Sequence, residues 1–244
     1  MSKYRAIISY PEIVNREGLM LQKGMNFRIK PRYSILLMSV RKGAPYNDIW
    51  HEDTSLLEYE GHDEPRRGTF DPKTIDQPMK LPGGGLTENG KFYEAAKSYQ
   101  TGKGPPETVQ VYEKINQGVW CDRGRYELVD ASIISDGTRK VFKFFLRPIR
   151  ASNSTEPVLK QTRIIPTSVK VEVWKRDQGR CVLCGSDKNL HFDHDVPYSK
   201  GGSSLTAKNV RLLCAKHNLA KSDNILSLGP FAIGILSAFI GRSA

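Results

Sequence analysis

Two short knuckles of metal-ligand spacing constrain this chain more than any other feature. Cys181 and Cys184 stand in C-x2-C spacing, and Cys214 and His217 follow in C-x2-H spacing after 29 intervening residues. Two such knuckles predict a closed tetrahedral site for a structural Zn2+. A disulfide framework fits poorly, because the 244-residue chain has four cysteines and only Cys121 lies outside the pattern. Cysteines used in this way point to a reducing, cytoplasmic compartment. A domain as small as the one they enclose buries little core, so the metal would supply much of its folding free energy.

The stretch between the knuckles is longer than a zinc ribbon needs, and it carries a second set of residues. Asp193 and His194 are adjacent, Asn209 follows, and Asn218 and Lys221 come directly after the second knuckle. Neutral imidazole accepts a proton near pH 7, which makes His194 a candidate general base. On a strand, Asp193 points to the opposite face from its neighbour, so one residue is free to hold a cation while the other meets a water. Asn218 could bring an amide oxygen to the same cation, and oxygen ligands suit Mg2+ or Mn2+. Lys221, one helical turn on, could reach a phosphate. These are the parts that phosphodiester hydrolysis requires. A zinc ribbon that only binds would need none of them.

A formal net charge of +11 agrees with a polyanionic partner. The opening, MSKYRAIISYPEIV, lacks the layout of a signal peptide. The apolar tail 229–244 is interrupted by Gly229-Pro230, and Phe231 to Ile240 is too short to span a bilayer, so a docked helix or a dimer contact is expected there. Residues 151–166 are polar, with Pro157 and Pro166, and read as a linker between a domain at 1–150 and another at 167–228.

The N-terminal part reads as mostly β. Ser34 to Val40, Val109 to Ile115, Arg125 to Ala131 and Arg139 to Ile149 are strand candidates, with turns expected at Asp122-Arg123-Gly124 and Asp136-Gly137. Thr87 is placed to cap a helix that carries Phe92, Ala95, Ala96 and Tyr99 on one face. Strands around such a helix suggest a small barrel-like α+β domain. Within it, Tyr46, Trp50 and Tyr59 flank Asp48. Aromatic faces beside a carboxylate are what a flipped base requires, and Asp48 could accept from a cytosine N4 amine. Ordinary core aromatics with solvated acids are the alternative. Arg66 and Arg67 form a basic pair for phosphate or for the gap left by a flipped base. In the C-terminal part, Thr167 or Ser168 is expected to cap a helix whose Val169, Val173 and Trp174 face inward. Leu190 to Val196 and Val210 to Leu213 suit a hairpin, and a helix is expected from about Cys214.

Residues 176–224 resemble the HNH (ββα-metal) endonuclease family: RD-x3-C-x2-CG, then L-x2-DH-x2-P-x-SKGG, then N-x3-LC-x2-HN-x2-K. The resemblance implies that His194 is the general base, that Asp193 binds the catalytic cation, that Asn209 steadies the loop around the base, and that Asn218 takes the last family position. The final block departs from the commoner C-x2-C-H or C-x2-C-N. His217 is read here as the fourth zinc ligand and Asn218 as the catalytic-cation ligand. The alternative gives His217 to the catalytic cation and leaves zinc with three cysteines.

Residues 34–147 resemble, in looser blocks, the SRA (SET- and RING-associated) domain. The blocks are Tyr46 and Asp48, Tyr59-Glu60-Gly61, Arg66-Arg67, Asp76-Gln77, Thr87-Glu88-Asn89, Val109 to Val111, Gly124 to Tyr126 and Lys140 to Leu146. The resemblance implies a PUA-like barrel that flips modified cytosines out of duplex DNA.

The expectation is therefore an α+β protein with an SRA-like barrel and a zinc-bound HNH domain. It would be an endonuclease that reads 5-methylcytosine or 5-hydroxymethylcytosine in double-stranded DNA and acts as a homodimer, since cutting both strands needs two sites. The rivals are an HNH nuclease that reads unmodified DNA and a nucleic-acid-binding module without catalysis.

Overall fold

The computed structural model describes residues 6–149 and 165–221, with 225, except for 22, 32, 42, 52, 67, 198 and 199. Arg67, the tail 229–244 and the expected linker up to residue 164 lie outside the described residues.

The N-terminal region consists of β1 (Ile7–Ser9), α1 (Tyr10–Glu17), β2 (Met25–Lys30), β3 (Tyr33–Met38), β4 (Ile49–His51), β5 (Leu56–Glu60), α2 (Glu88–Gln100), β6 (Glu107–Asn116), β7 (Val119–Ser135) and β8 (Lys140–Pro148). Seven strands run in the order β2-β3-β6-β7-β8-β5-β4, and β1 pairs with β7 off that path. All neighbours are antiparallel except β3 and β6. The terminal strands β2 and β4 do not pair, so among the described residues the sheet is mixed and open, and the expected closed barrel is not formed.

The core lies between the sheet and α2. Thr87 caps α2 by accepting from the Gly90 N–H, and Phe92 and Ala96 are buried on its inner face. They pack with Leu36, Val109, Tyr126, Phe142 and Phe144. Strand β8 pairs with β7 over its whole length, and Val141, Phe142, Lys143 and Phe144 are buried in succession.

Asp122-Arg123-Gly124 is not a turn. The chain reverses at Gln117-Gly118, where Gly118 takes φ +72°, and β7 then continues through residue 135. Opposite Val111 and Tyr112 the register shifts, and Arg123 is the extra residue of a β-bulge followed by Gly124 at φ +81°. A bulge re-aims the side chain it carries. Here the Arg123 guanidinium turns to the buried carboxylate of Glu113, 3.3 Å away.

The C-terminal region has α3 (Thr167–Arg176), β9 (Leu190–His194), β10 (Val210–Cys214) and α4 (Ala215–Lys221). Its own core contains Ile165, Val169, Val173, Leu190, Phe192 and Leu212, with Trp174 packed at the edge. Thr167 does not cap α3. Pro166 holds the N-cap position without a side-chain bond, and the Thr167 hydroxyl, already inside the helix, bonds to Glu113 instead.

The two regions share more than a connection. Ala6 forms an isolated antiparallel bridge with His191, and Ile7 packs on the C-terminal core while its strand pairs with β7. No described helix is long and apolar enough to cross a membrane.

Candidate active site

The hairpin β9–β10 with its connection and helix α4 hold Asp193, His194, Asn209, Asn218 and Lys221, while Cys181 and Cys184 precede β9. β9 and β10 pair from Val210↔His194 to Cys214↔Leu190. Helix α3 anchors this hairpin from below. The Arg176 guanidinium donates to the carbonyls of Ala207 and Val210, at 2.5 and 2.7 Å, and Asp177 accepts from the Leu212 N–H at 2.8 Å. The Arg-Asp of the sequence motif is therefore a structural clamp.

The two knuckles bring Cys181, Cys184, Cys214 and His217 together, with all four ligand atoms within 4.8 Å of one another. Cys184 Sγ lies 3.8 Å from Cys214 Sγ, and His217 Nδ1 lies 3.3 and 3.5 Å from the sulfurs of Cys214 and Cys181. A tetrahedron with Zn–S bonds of about 2.3 Å has edges of about 3.8 Å. The donor set and spacing thus fit a structural metal. Burial opposes ionisation of the Cys181 thiol, but neighbouring backbone N–H groups and His217 outweigh it and lower its pKa to about 6. That favours the thiolate a metal requires.

His194 is buried at 3% exposure, with Nε2 2.8 Å from Ser204 Oγ. The loop that brings Ser204 there is held by Asn209. Its Oδ1 accepts from the Val196 N–H at 2.9 Å, and its Nδ2 donates to the carbonyls of Val196 and Ser203 at 3.1 and 3.0 Å. The Gly-Gly of this loop has a steric cause. Gly201 takes φ +85°, and a Cβ on Gly202 would lie 1.9 Å from the Val196 carbonyl oxygen. Neither position accepts an ordinary side chain without moving the loop. Ser204 was not nominated from the sequence; the second serine of a Ser-Ser pair after Gly-Gly carries no spacing signal.

Asp193 occupies the opposite face of β9, partly exposed, and its Oδ2 lies 2.7 Å from Nζ of the buried Lys221 on α4. Lys221 is therefore turned to a carboxylate. The contact is a close ion pair that holds the Asp193 carboxylate beside α4. A carboxylate oxygen is the donor type a divalent cation takes, and a cation bound there would replace the Lys221 ammonium on that oxygen. Asn218 stands one residue after His217 on α4 and is partly exposed. Asp195, next to His194, is buried and paired with Arg211.

In the N-terminal region, Tyr46 and Asp48 line a cavity of about 310 Å3 with Val40, Arg41, Pro45 and Glu60. Asp48 is buried and accepts from the backbone N–H groups of Ser39 and Glu60, both at 3.0 Å. Burial, opposed by these two N–H groups, pushes its carboxyl up to about 7. Trp50 and Tyr59 do not line the cavity. Trp50 packs at the edge of the core with the Arg123 guanidinium 5.1 Å from its ring, and Tyr59 is fully inside the core. Arg66 is exposed on the loop after β5.

A ββ hairpin, a following helix, an Asp-His pair and a cysteine-histidine cluster stand together in this region. Residues 181–224 match the family model described as HNH endonuclease, and the chain is a nuclease by that domain. No curated protein matches the chain. Among solved structures, it is similar to the SUVH5 SRA domain in complex with hemi-methylated CG DNA, at 21% identity and TM-score 0.40, covering 62% of this chain and 89% of that one. It is also similar to the modification-dependent TagI restriction endonuclease, at 18% identity and TM-score 0.40, covering 91% of this chain and 77% of that one.

Proposed function

We propose that the protein is a modification-dependent DNA endonuclease. Its N-terminal region reads a flipped 5-methylcytosine or 5-hydroxymethylcytosine, and its HNH domain hydrolyses a phosphodiester nearby. The observation that carries the first half is Asp48, a buried carboxylate in the wall of a base-sized cavity beside Tyr46. Its fixed position suits recognition of an exocyclic amine, because both oxygens are already oriented by backbone donors.

In the second half, His194 takes the proton of the attacking water. Ser204 orients its ring through Nε2, and Asn209 keeps the loop that carries Ser204 in place. Asp193 and Asn218 would hold Mg2+ or Mn2+, which supplies charge stabilisation at the scissile phosphate when bound. Lys221 neutralises Asp193 from α4. Cys181, Cys184, Cys214 and His217 would hold Zn2+ in a structural role. Two copies act together for double-strand cleavage.

The test uses matched duplexes with cytosine, 5-methylcytosine or 5-hydroxymethylcytosine at one site. Binding and cleavage are measured at fixed salt with Mg2+ or Mn2+, since a chain of net charge +11 binds any DNA at low ionic strength. Wild type should bind and cut the modified duplexes preferentially. Asp48→Ala should lose about 1–3 kcal/mol of binding to them with non-specific binding unchanged. Equal cleavage of all three duplexes would point to a nuclease that reads unmodified DNA. Binding without cleavage under any cation would point to a module without catalysis.

A further inference from the structure

One face of the Tyr46 ring is already covered by the protein itself. His62 follows Tyr59-Glu60-Gly61, just beyond β5. Its imidazole stacks on Tyr46 with ring centroids 4.5 Å apart and 9° between planes. It also leans on Tyr59, at 6.0 Å and 33°, with Nε2 2.8 Å from the Tyr59 hydroxyl oxygen. A third wall is the backbone at Gly24, where a Cβ would lie 2.5 Å from His62 Cε1. The Lys73 ammonium lies over Tyr46 as well, 4.4 Å from the ring centroid.

The backbone of His62 is secured independently of its ring. Its N–H donates to Asn89 Oδ1 and its carbonyl accepts from Asn89 Nδ2, both at 2.8 Å. The main chain at His62 is therefore held by contacts that do not involve the ring. Burial lowers its pKa to about 4, so it is neutral near pH 7. A flat, neutral, single-ring heterocycle stacked on tyrosine has the shape and surface of a pyrimidine base.

Resting on the base-reading function above, we propose that His62 is an affinity-setting gate: its imidazole stands in for the base against Tyr46, and a flipped pyrimidine enters by displacing it. A resident ring lowers the apparent affinity of every incoming base by the fraction of time the slot is open. The cost is the same for every base, so the gate sets how tightly a flipped base is held and leaves the choice between bases to the pocket.

The experiment compares wild type, His62→Ala and Gly24→Ala in binding to matched duplexes carrying cytosine or 5-methylcytosine. Because a methyl on Gly24 would sit 3.0 Å from the Tyr59 hydroxyl as well as against the ring, Gly24→Ala reports on the slot only by displacing the His62 resonances, and decides whether the ring can leave if His62→Ala does not fold. His62→Ala should bind the methylated duplex more tightly, by about tenfold, and any plain duplex that is flipped should gain by the same factor. In wild type, the ring-proton resonances of His62, displaced by stacking on Tyr46, should move towards solvent-exposed positions on saturation with methylated duplex. If wild type prefers methylated DNA and His62→Ala binds it equally or more weakly, His62 is a wall of the pocket and the gate is wrong while the base-reading function stands. If no protein of the three prefers methylated DNA, the base-reading function falls and takes the gate with it.

Discussion

Glu113 on β6 and Lys170 on α3 form an ion pair of 2.6 Å with side-chain exposures of 0% and 3%. Arg123 and Thr167 complete the cluster, so one carboxylate of the N-terminal sheet serves the first helix of the nuclease. Burial pushes the Glu113 carboxyl up, but Lys170 and Arg123 outweigh it and hold it below its ordinary value. Removing one partner of a buried pair leaves the other charge uncompensated. Glu113→Ala should therefore cost about 3–5 kcal/mol of stability, read from denaturant unfolding. A loss below about 1 kcal/mol, the range of an exposed pair, would show that the cluster is hydrated in solution.

His194→Ala should reduce cleavage by about 10²–10⁴-fold, the range for loss of a positioned general base. Zinc content and DNA affinity should be unchanged, because the zinc ligands lie at the other end of the hairpin. Ser204→Ala should give a smaller decrease, since it removes only the partner of His194 Nε2. Single-turnover cleavage near neutral pH checks both. Wild-type rates in His194→Ala would remove this residue from the chemistry.

Zinc should co-purify at one ion per chain. Chelation, or Cys184→Ser, should unfold the hairpin and α4, because the knuckles tie Cys181 to the helix that carries His217. Elemental analysis with circular dichroism measures this. Soluble, active protein free of zinc would overturn the assignment.

Asp48 gives the fold a pH dependence of defined sign. Its pKa is raised from 3.8 to about 7, chiefly by burial. Below the lower value both folded and unfolded states hold the proton. Between the two, the unfolded state releases it and the native state does not, so the stability from Asp48 declines as pH rises and is lost by the folded pKa. Asp48→Asn cannot titrate. Its melting temperature should vary less than that of wild type between about pH 4 and pH 7, whatever the offset caused by losing one backbone acceptor. Parallel melting curves across that window would show that the carboxyl is not raised.

The nuclease site was legible because its chemistry is local. Asp193-His194, the two knuckles and Gly201-Gly202 are short runs whose spacing is dictated by ligands or by one tight loop. Helix α2 was legible for a similar reason, a capping threonine and an apolar face. Helix α1 carried a readable signal that was not used: Ser9 and Glu12 form a capping box, and Gly18 closes the helix at φ +65°. The open sheet could not be read, because it depends on long-range pairings such as β3 with β6. Asp122-Arg123-Gly124 has the composition of a turn, and only the partner strand shows it to be a bulge. Thr167 has the chemistry of a cap, yet a buried carboxylate from another region takes its hydroxyl. His62 has no motif at all, and its place against Tyr46 exists only in three dimensions.

The bridge between Ala6 and His191 concerns the order of events during synthesis. Ala6 and Ile7 leave the ribosome long before the hairpin they brace, and the carboxylate of Glu113 also precedes its ammonium partner Lys170. Two early segments must therefore wait for the later nuclease core that supplies their partners. A chain released early presents a sheet edge and a buried charge without their counterparts. Cutting competence thus arrives after the N-terminal sheet is already built.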